Sequence, residues 1–341
     1  MFTQIFSLIL GLVTVLLAAE AFTNGLEGIG KRFSFSQAVV GNLLAAVGTA
    51  LPETILPLVA IFFSRGHASE DIGVGAILGA PFMLSTIAFF LVGITVMIRC
   101  LRHKKCFAIS PDLTPLKRDL SFFIPMYSLA VFLPLIIGRS MDMIIALALL
   151  LGYVFYVKLT MTGESSEIGH FEGLHLFKAQ KRLRLTKKDE PHTSMFFFQI
   201  IMALIVMVLG ARIFVGGLEV VSLRLGMNPL LFALILAPLA TELPEKFNSV
   251  TWILKGKDSL AMGNLTGAMM FQSTFPVAIG LLFTKWELTP MAIFSAVLAL
   301  SSAGIALFSV KRSGRLSPYA LLSGGFLYLV YIVTLVFNIK G

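Results

Sequence analysis

Of 341 residues, 57% are hydrophobic and 13% charged, and the mean hydropathy is +0.90. A soluble domain carries roughly 25% charge, so this composition excludes the ordinary soluble enzymes and binding modules. The formal charge of +9 does not point to nucleic acid: Lys and Arg gather in short segments between apolar runs, as beside membrane spans, and no nucleic-acid-binding motif accompanies them.

The first apolar run extends from Phe2 to Asn24 and ends near Lys31 and Arg32. It lacks a basic flank and a convincing cleavage site, so it reads as a retained span rather than a signal peptide. The second run, Ser36 to Phe63, passes through Gly48 and Pro52, and the third, Ile72 to Ile98, through Gly75, Gly79 and Pro81. Small residues and breakers in such runs suit close helix contact or local unwinding inside membrane-embedded protein. After the basic segment Arg99 to Arg118, which holds Cys100 and Cys106 as two free thiols, come a fourth run at Phe122 to Ile137 and a fifth at Met141 to Val157.

Lys158 to Thr193 is the longest hydrophilic section and reads as a cytoplasmic linker with a surface helix. Its His170, His175, Glu164, Glu167 and Glu172 have no spacing that defines a metal site. Five further runs follow: Ser194 to Leu223, Asn228 to Leu254, Ser259 to Phe283, Thr289 to Val310 and Ser317 to Asn338. Trp252 and Trp286 read as interface anchors, and Arg212 as a membrane-edge residue.

The connections after runs one, three, five, seven and nine carry two, six, seven, two and three Lys or Arg, twenty in all, against four in the intervening ones. The positive-inside rule then predicts a cell-membrane protein with its central linker cytoplasmic and both termini outside.

The ten runs divide into two halves. Glu27, Thr49, Pro52 and Glu53 match Glu219, Thr241, Pro244 and Glu245 at a shift of 192, and Gly75 and Gly79 match Gly263 and Gly267 at a shift of 188. The expected fold is an all-α integral membrane protein: ten transmembrane helices in two inverted-topology five-helix repeats, residues 1–157 and 194–341, joined by the linker 158–193. Five spans per repeat invert the second copy, so related chemistry approaches the midplane from both faces.

That chemistry sits in Gly48-Thr49-Ala50-Leu51-Pro52-Glu53 and Ala240-Thr241-Glu242-Leu243-Pro244-Glu245. A carboxylate within an apolar run is costly unless it meets a cation, a proton or a polar partner. Proline lacks an amide hydrogen, so each motif frees backbone oxygen beside a threonine hydroxyl and an acid; two broken helices facing one site are expected. Such hard oxygen ligands suit calcium. A divalent ion offsets the repulsion between Glu53 and Glu245, and protons or monovalent ions replace it on release. Glu242, where the first copy has Ala50, is a third acid: a second cation ligand, a proton site or an access-path residue. Gln272 offers a neutral oxygen, whereas its counterpart is Leu84. Asn264 reads as an interhelical hydrogen-bonder.

On these residues the chain resembles the calcium/cation antiporter superfamily, especially its sodium/calcium exchanger branch. That family carries signatures similar to G-T-S-x-P-E and G-N-x-x-G-S-N-x-F, matched here by Gly48-Thr49, Pro52-Glu53, Thr241, Pro244-Glu245, Gly263-Asn264, Gly267 and Phe271. The resemblance implies Glu53 and Glu245 as principal cation ligands, supported by Thr49 and Thr241, with a polar ligand at the position of Gln272. Ala80-Pro81 and Ala268-Met269 stand where Ser-Asn is usual. The expected function is a secondary active antiporter, not an enzyme, which exchanges Ca2+ for Na+ by alternating access. Calcium/proton or other divalent-cation/proton exchange is the alternative; a cation channel and a non-transporting sensor are further ones. No cofactor is expected. The partners are inorganic cations and the lipid bilayer, and a monomer is the expected state.

Overall fold

The computed structural model describes residues 2–33, 45–64, 67–103, 113–160, 173–182 and 191–340. The regular elements among them are helices: α1 (Phe2–Arg32), α2 (Ala45–Phe63), α3 (His67–Met83), a π-helical turn (Leu84–Ala88), α4 (Phe89–His103), α5 (Leu113–Ile137), a 3-10 turn (Arg139–Met141), α6 (Asp142–Thr160), α7 (His175–Arg182), α8 (Thr193–Arg224), α9 (Pro229–Leu254), α10 (Asp258–Gln272), α11 (Phe275–Phe283), α12 (Pro290–Ser313) and α13 (Pro318–Lys340). The expectation of an all-helical chain holds. Among the described residues, eight helical stretches are long and apolar enough to cross a membrane, and two shorter apolar helices, Ala50–Phe63 and Pro229–Glu242, begin or end inside the threonine–proline–glutamate motifs. Large apolar side chains stay exposed along them, as Met143, Ile144, Leu147, Leu151, Val154 and Phe155 do on α6. The protein is integral to a membrane, where lipid covers such a face.

The linker helix anticipated from sequence is α7. Of the free thiols and the linker's metal candidates, Cys106, Glu164, Glu167, His170 and Glu172 lie outside the described residues; Cys100 is buried and His175 opens α7. Two compact units are present: Met1–Ser64 with Lys158–Val221, and Arg65–Val157 with Ser222–Gly341. Each takes segments from both halves of the sequence.

In the first unit α1 and α8 meet backbone to backbone. A Cβ at Gly11 would lie 2.6 Å from the Phe214 nitrogen, and one at Gly210 would lie 2.9 Å from the Thr14 side chain. Small residues permit this approach, which drives helix association where lipid removes the hydrophobic incentive. At one end of the pair sits a buried amide network. Gln199 Nε2 donates to the Ala21 carbonyl at 2.7 Å and to Asn24 Oδ1 at 3.1 Å. Asn24 Oδ1 accepts from the His175 backbone at 2.9 Å, and Gln199 Oε1 from that of Leu176 at 2.9 Å. These oxygens satisfy amides that the first turn of α7 leaves open. Arg212 is exposed, with its guanidinium 5.3 Å from the centre of the Phe63 ring.

In the second unit α3 lies on α9. A Cβ at Gly75 would stand 2.1 Å from the Leu230 carbonyl oxygen, and one at Gly79 would stand 2.1 Å from that of Leu234. The second contact has a covalent cause: Pro238 has no amide to offer Leu234 four residues back, and the released carbonyl abuts Gly79. Arg99 joins the end of α4 to the start of α10, its Nη1 and Nη2 lying 2.5 and 2.9 Å from the two Asp258 oxygens, and Nη1 also donates to the Ile253 carbonyl at 2.6 Å. Asn228 caps α9, accepting from Leu230 N at 2.9 Å, with Pro229 at the first helical position. Trp286 is not an interface anchor. Its ring is buried with φ +48, and a Cβ at Gly280 would come within 2.4 Å of it; the cleared space beside Gly280 draws the indole inward.

Gly79→Ala must therefore push α3 off α9, because a backbone carbonyl cannot rotate aside as a side chain does. A loss of about 1–3 kcal/mol is expected, seen as a lower unfolding temperature in detergent. Gly304→Ala on α12, where a Cβ meets no described atom within 4 Å, should leave that temperature unchanged or raise it through helix propensity.

Candidate cation site

Contrary to the expectation of broken helices, α2 is continuous through Pro52 and Pro57, and α9 is continuous through Pro244. Threonines beside the prolines bond within their own helices: Thr54 Oγ1 donates to the Ala50 carbonyl at 2.7 Å, and Thr241 Oγ1 to that of Ala237 at 3.1 Å. Those carbonyls keep their own helical amide partners, so the hydroxyl bonds lie beside the ones that proline removes rather than replacing them. The oxygen supply survives without a break, since the carbonyls of Gly48 and Ala240 still have no amide to accept from at Pro52 and Pro244.

The interruptions lie one span further along, at matched positions of the repeat. Leu84-Ser85-Thr86 opens the π turn, and Gln272-Ser273-Thr274 ends α10 and leads into α11. Pro276, at the start of α11, has no amide for the Gln272 carbonyl, so the α-helical ladder stops there. In the first copy, Ser85 Oγ donates to the Pro81 carbonyl at 2.8 Å and Thr86 Oγ1 to that of Phe82. The widened turn turns its backbone outward: Ser302 Oγ donates to the Ser85 carbonyl at 2.5 Å, and a Cβ at Gly324 would lie 2.6 Å from the Thr86 carbonyl oxygen. In the second copy, Thr274 Oγ1 donates to the Met270 carbonyl at 2.7 Å and Ser273 Oγ to the same carbonyl at 3.1 Å. π turns recur at functional sites.

In the first unit Glu53 is buried on α2, and Thr49 belongs to the same helix with its side chain outside the described residues. In the second unit Thr241, Glu242 and Gln272 are all buried. The backbone of Glu245 is helical, and its side chain lies outside the described residues. Asn264 is half-buried on α10, on a strip with Gly263, Gly267, Ala268 and Phe271. A Cβ at Gly263 would meet no described atom within 4 Å, in contrast to Gly75, its partner in the repeat. Among the described residues no three His, Cys, Asp or Glu gather as a metal cluster.

Four buried charged groups were not read from the sequence: Asp119, Asp142, Lys246 and Asp258. Asp142, the first residue of α6, has its Oδ2 3.7 Å from Arg139 Nε. Asp119 on α5 is buried; its Oδ2 accepts from Thr266 Oγ1 at 2.6 Å, and Oδ1 lies 3.3 Å from Arg118 Nε. The Arg118 guanidinium stands 5.7 Å from the centre of the Tyr156 ring. Starting the fourth run at Phe122 left Asp119 in the preceding loop, whereas α5 begins at Leu113. Asp258, read as loop, opens α10 and holds Arg99. Lys246, next to Glu245, is buried on α9; its signal was present, since a base inside an apolar run is as costly as an acid.

Comparison with known proteins bears on this arrangement. The family described as sodium/calcium exchanger protein matches residues 3–162 and 195–340. Inner membrane protein YrbG of Escherichia coli K12 is 24% identical over 325 residues, covering 94% of this chain and 93% of that protein. Putative antiporter CaxA of Alkalimonas amylolytica is 23% identical over 347 residues, covering 95% of this chain and 97% of its own length. Among solved structures, the H+/Ca2+ exchanger CAX superposes with a TM-score of 0.71 at 19% identity, over 98% of this chain and 82% of that one. The sodium-calcium exchanger NCX_Mj superposes with a TM-score of 0.55 at 19% identity, over 97% of each chain. The family match spans both halves of the sequence and both copies of the acidic motif, and the chain belongs to the sodium/calcium exchanger protein family.

Proposed function

We propose that the chain is a secondary active antiporter that moves Ca2+ against a Na+ gradient by alternating access. Its ten spans form two inverted five-helix repeats, residues 1–157 and 194–341, joined by the cytoplasmic linker 158–193, with both termini outside. Glu53 and Glu245 are the principal carboxylates for the transported ion, Thr49 and Thr241 add hydroxyl oxygen, and Glu242 and Gln272 complete the polar set. The carrying observation is that a proline–glutamate motif within apolar helix occurs twice, at positions related by the repeat, with Glu53, Thr241 and Glu242 buried. Buried carboxylates in a membrane segment call for positive charge, and a mobile cation supplies it in a form that can be exchanged. Membership of the family supports the same reading.

Proton coupling is the second reading. Gln272 is neutral and its repeat partner Leu84 is apolar, so the site offers fewer charged ligands for sodium, and protons neutralise carboxylates without needing further ones.

In proteoliposomes, 45Ca2+ uptake should be driven by an outward Na+ gradient at equal pH on both sides. Drive by a proton gradient in Na+-free medium would select the second reading. Conductive flux with no coupling would mean a channel, and selective binding without flux a sensor. Glu53→Gln and Glu245→Gln should each lower uptake at least about tenfold, the equivalent of roughly 1.4 kcal/mol of lost interaction with the ion. Wild-type exchange in the double variant would remove both carboxylates from the mechanism.

A further inference from the structure

Two buried acids, on α5 and α10, are held in opposite ways. Asp258 meets the Arg99 guanidinium through both oxygens, at 2.5 and 2.9 Å. A guanidinium only donates, so a proton on Asp258 would break that pair. Asp119 takes its shortest bond, 2.6 Å, from a hydroxyl, Thr266 Oγ1. A hydroxyl has one hydrogen and also accepts. Thr266 Oγ1 stands 3.0 Å from a second acceptor, the Met262 carbonyl of its own helix, and its hydrogen serves only one of the two. With Asp119 ionised, Thr266 donates to Oδ2. With a proton on Oδ2, Asp119 donates to Thr266, and Thr266 turns its hydrogen to Met262. Each donor in this line has an acceptor in both states, so α5 stays tied to α10 while the carboxyl changes charge.

Asp119 is 2% exposed. On α5 the Arg118 Nε lies 3.3 Å from Oδ1 with its guanidinium over the Tyr156 ring, and Lys117 is the next base. From α6 the Tyr156 hydroxyl is a further hydrogen-bonding neighbour of Asp119. From α10 the nearest charge is Asp258, about two turns before Thr266 and engaged by Arg99. α12, also packed on α5, has its only charges, Lys311 and Arg312, exposed in its last turn. The 3-10 turn beyond the far end of α5 carries Arg139, which donates to the Thr284 carbonyl. A Cβ at Gly267 would come 3.9 Å from the Tyr156 hydroxyl. That hydroxyl thus lies between Asp119 and the half-buried strip of Asn264, Gly267 and Ala268, and gives a proton a path to the acid. The first copy has no such arrangement: at the shift of 188 Thr266 becomes Leu78, whose carbonyl accepts from Tyr127 at 3.3 Å.

We propose that Asp119 is a proton-binding site coupled through α10 to the cation site. It takes a proton from water when Ca2+ leaves and returns it to water when Ca2+ binds. This rests on the antiporter reading above and adds to it a proton site apart from the motif carboxylates. Thr266 precedes Gln272 by six residues, about 9 Å along the helix, so charge at Asp119 acts on the bound ion through a water-poor interior. An ionised Asp119 attracts a divalent cation, and a proton there adds one unit of positive charge to the same place. By reciprocity the proton weakens Ca2+ binding by the factor by which Ca2+ weakens proton binding.

Ca2+ addition to the purified full chain tests this, in weakly buffered detergent without Na+, with a pH indicator counting released protons and 45Ca2+ counting bound ions. Asp119→Asn fixes the neutral form and keeps a bond to Thr266. At alkaline pH it should bind Ca2+ about tenfold more weakly than wild type, the scale of one charge at that range. It should also release fewer protons per ion, by up to about half a proton where a tenfold linkage is steepest. Asp119→Glu should regain the pH dependence. Infrared spectra of wild-type protein carrying 13C at the aspartate side-chain carboxyl read the proton itself, because the motif glutamates lack the label. A protonated-acid band that shifts with the label should appear at acid pH, vanish on adding Ca2+ and be missing from Asp119→Asn. Should Asp119→Asn fail to fold, Asp119→Glu decides, since the labelled band should be lost there too. Unchanged proton release in folded Asp119→Asn, a labelled band that persists in either variant, or no such band in wild type overturns the assignment and leaves the antiporter reading intact. Absence of Ca2+ binding in folded wild-type protein would instead remove the antiporter reading, and this assignment with it.

Discussion

A carboxylate inside an apolar helix must be answered by a cation, a proton or a polar partner. That constraint governs the acids this chain carries in its interior. Asp258 is answered by Arg99 through two short contacts, and Asp119 by Thr266 and Arg118. Both arrangements use groups that belong to the protein, and they tie α4 to α10 and α5 to α10. In the proposed mechanism Glu53 and Glu245 differ in kind, because their positive charge arrives from solution and leaves again. The same electrostatic demand thus builds the scaffold where the answer is permanent and does transport work where it is temporary.

The scaffold around these groups depends on proline and glycine acting together. Proline removes an amide and leaves a carbonyl without its helical partner, and glycine lets another helix approach that carbonyl. Pro238, Leu234 and Gly79 form such a set, and it fixes α3 against α9. At Gln272 the same loss of an amide, caused by Pro276, ends α10. One covalent feature therefore gives a continuous helix in one place and an interruption in another.

Much of the architecture was legible in the apolar runs, because lipid demands long uninterrupted helices and basic residues mark their ends. Each of the ten runs contains a described helix, and the matched prolines and acids identified where chemistry concentrates. Helix continuity was not legible. Pro52 and Pro244 signal a break, yet α2 and α9 continue through them. The π turn at Leu84–Ala88 was hidden, since Ser302 and Gly324, more than two hundred residues away in sequence, receive its carbonyls. Trp286 misled because an aromatic near a run end usually marks the interface, whereas here Gly280 makes room for it. Asp119 was missed through a boundary set a few residues too late.

The amide network at Asn24 and Gln199 gives the linker a mechanical part. α7 hangs from two long helices through hydrogen bonds at its own first turn, and Asn24 Nδ2 also holds the Gly173 carbonyl at 3.2 Å. A short helix fastened at one end behaves as a lever. Any sliding of α1 and α8 swings Lys178, Lys181 and Arg182 with them, so a force applied to those basic side chains, by an anionic headgroup for example, is felt directly by the long helices.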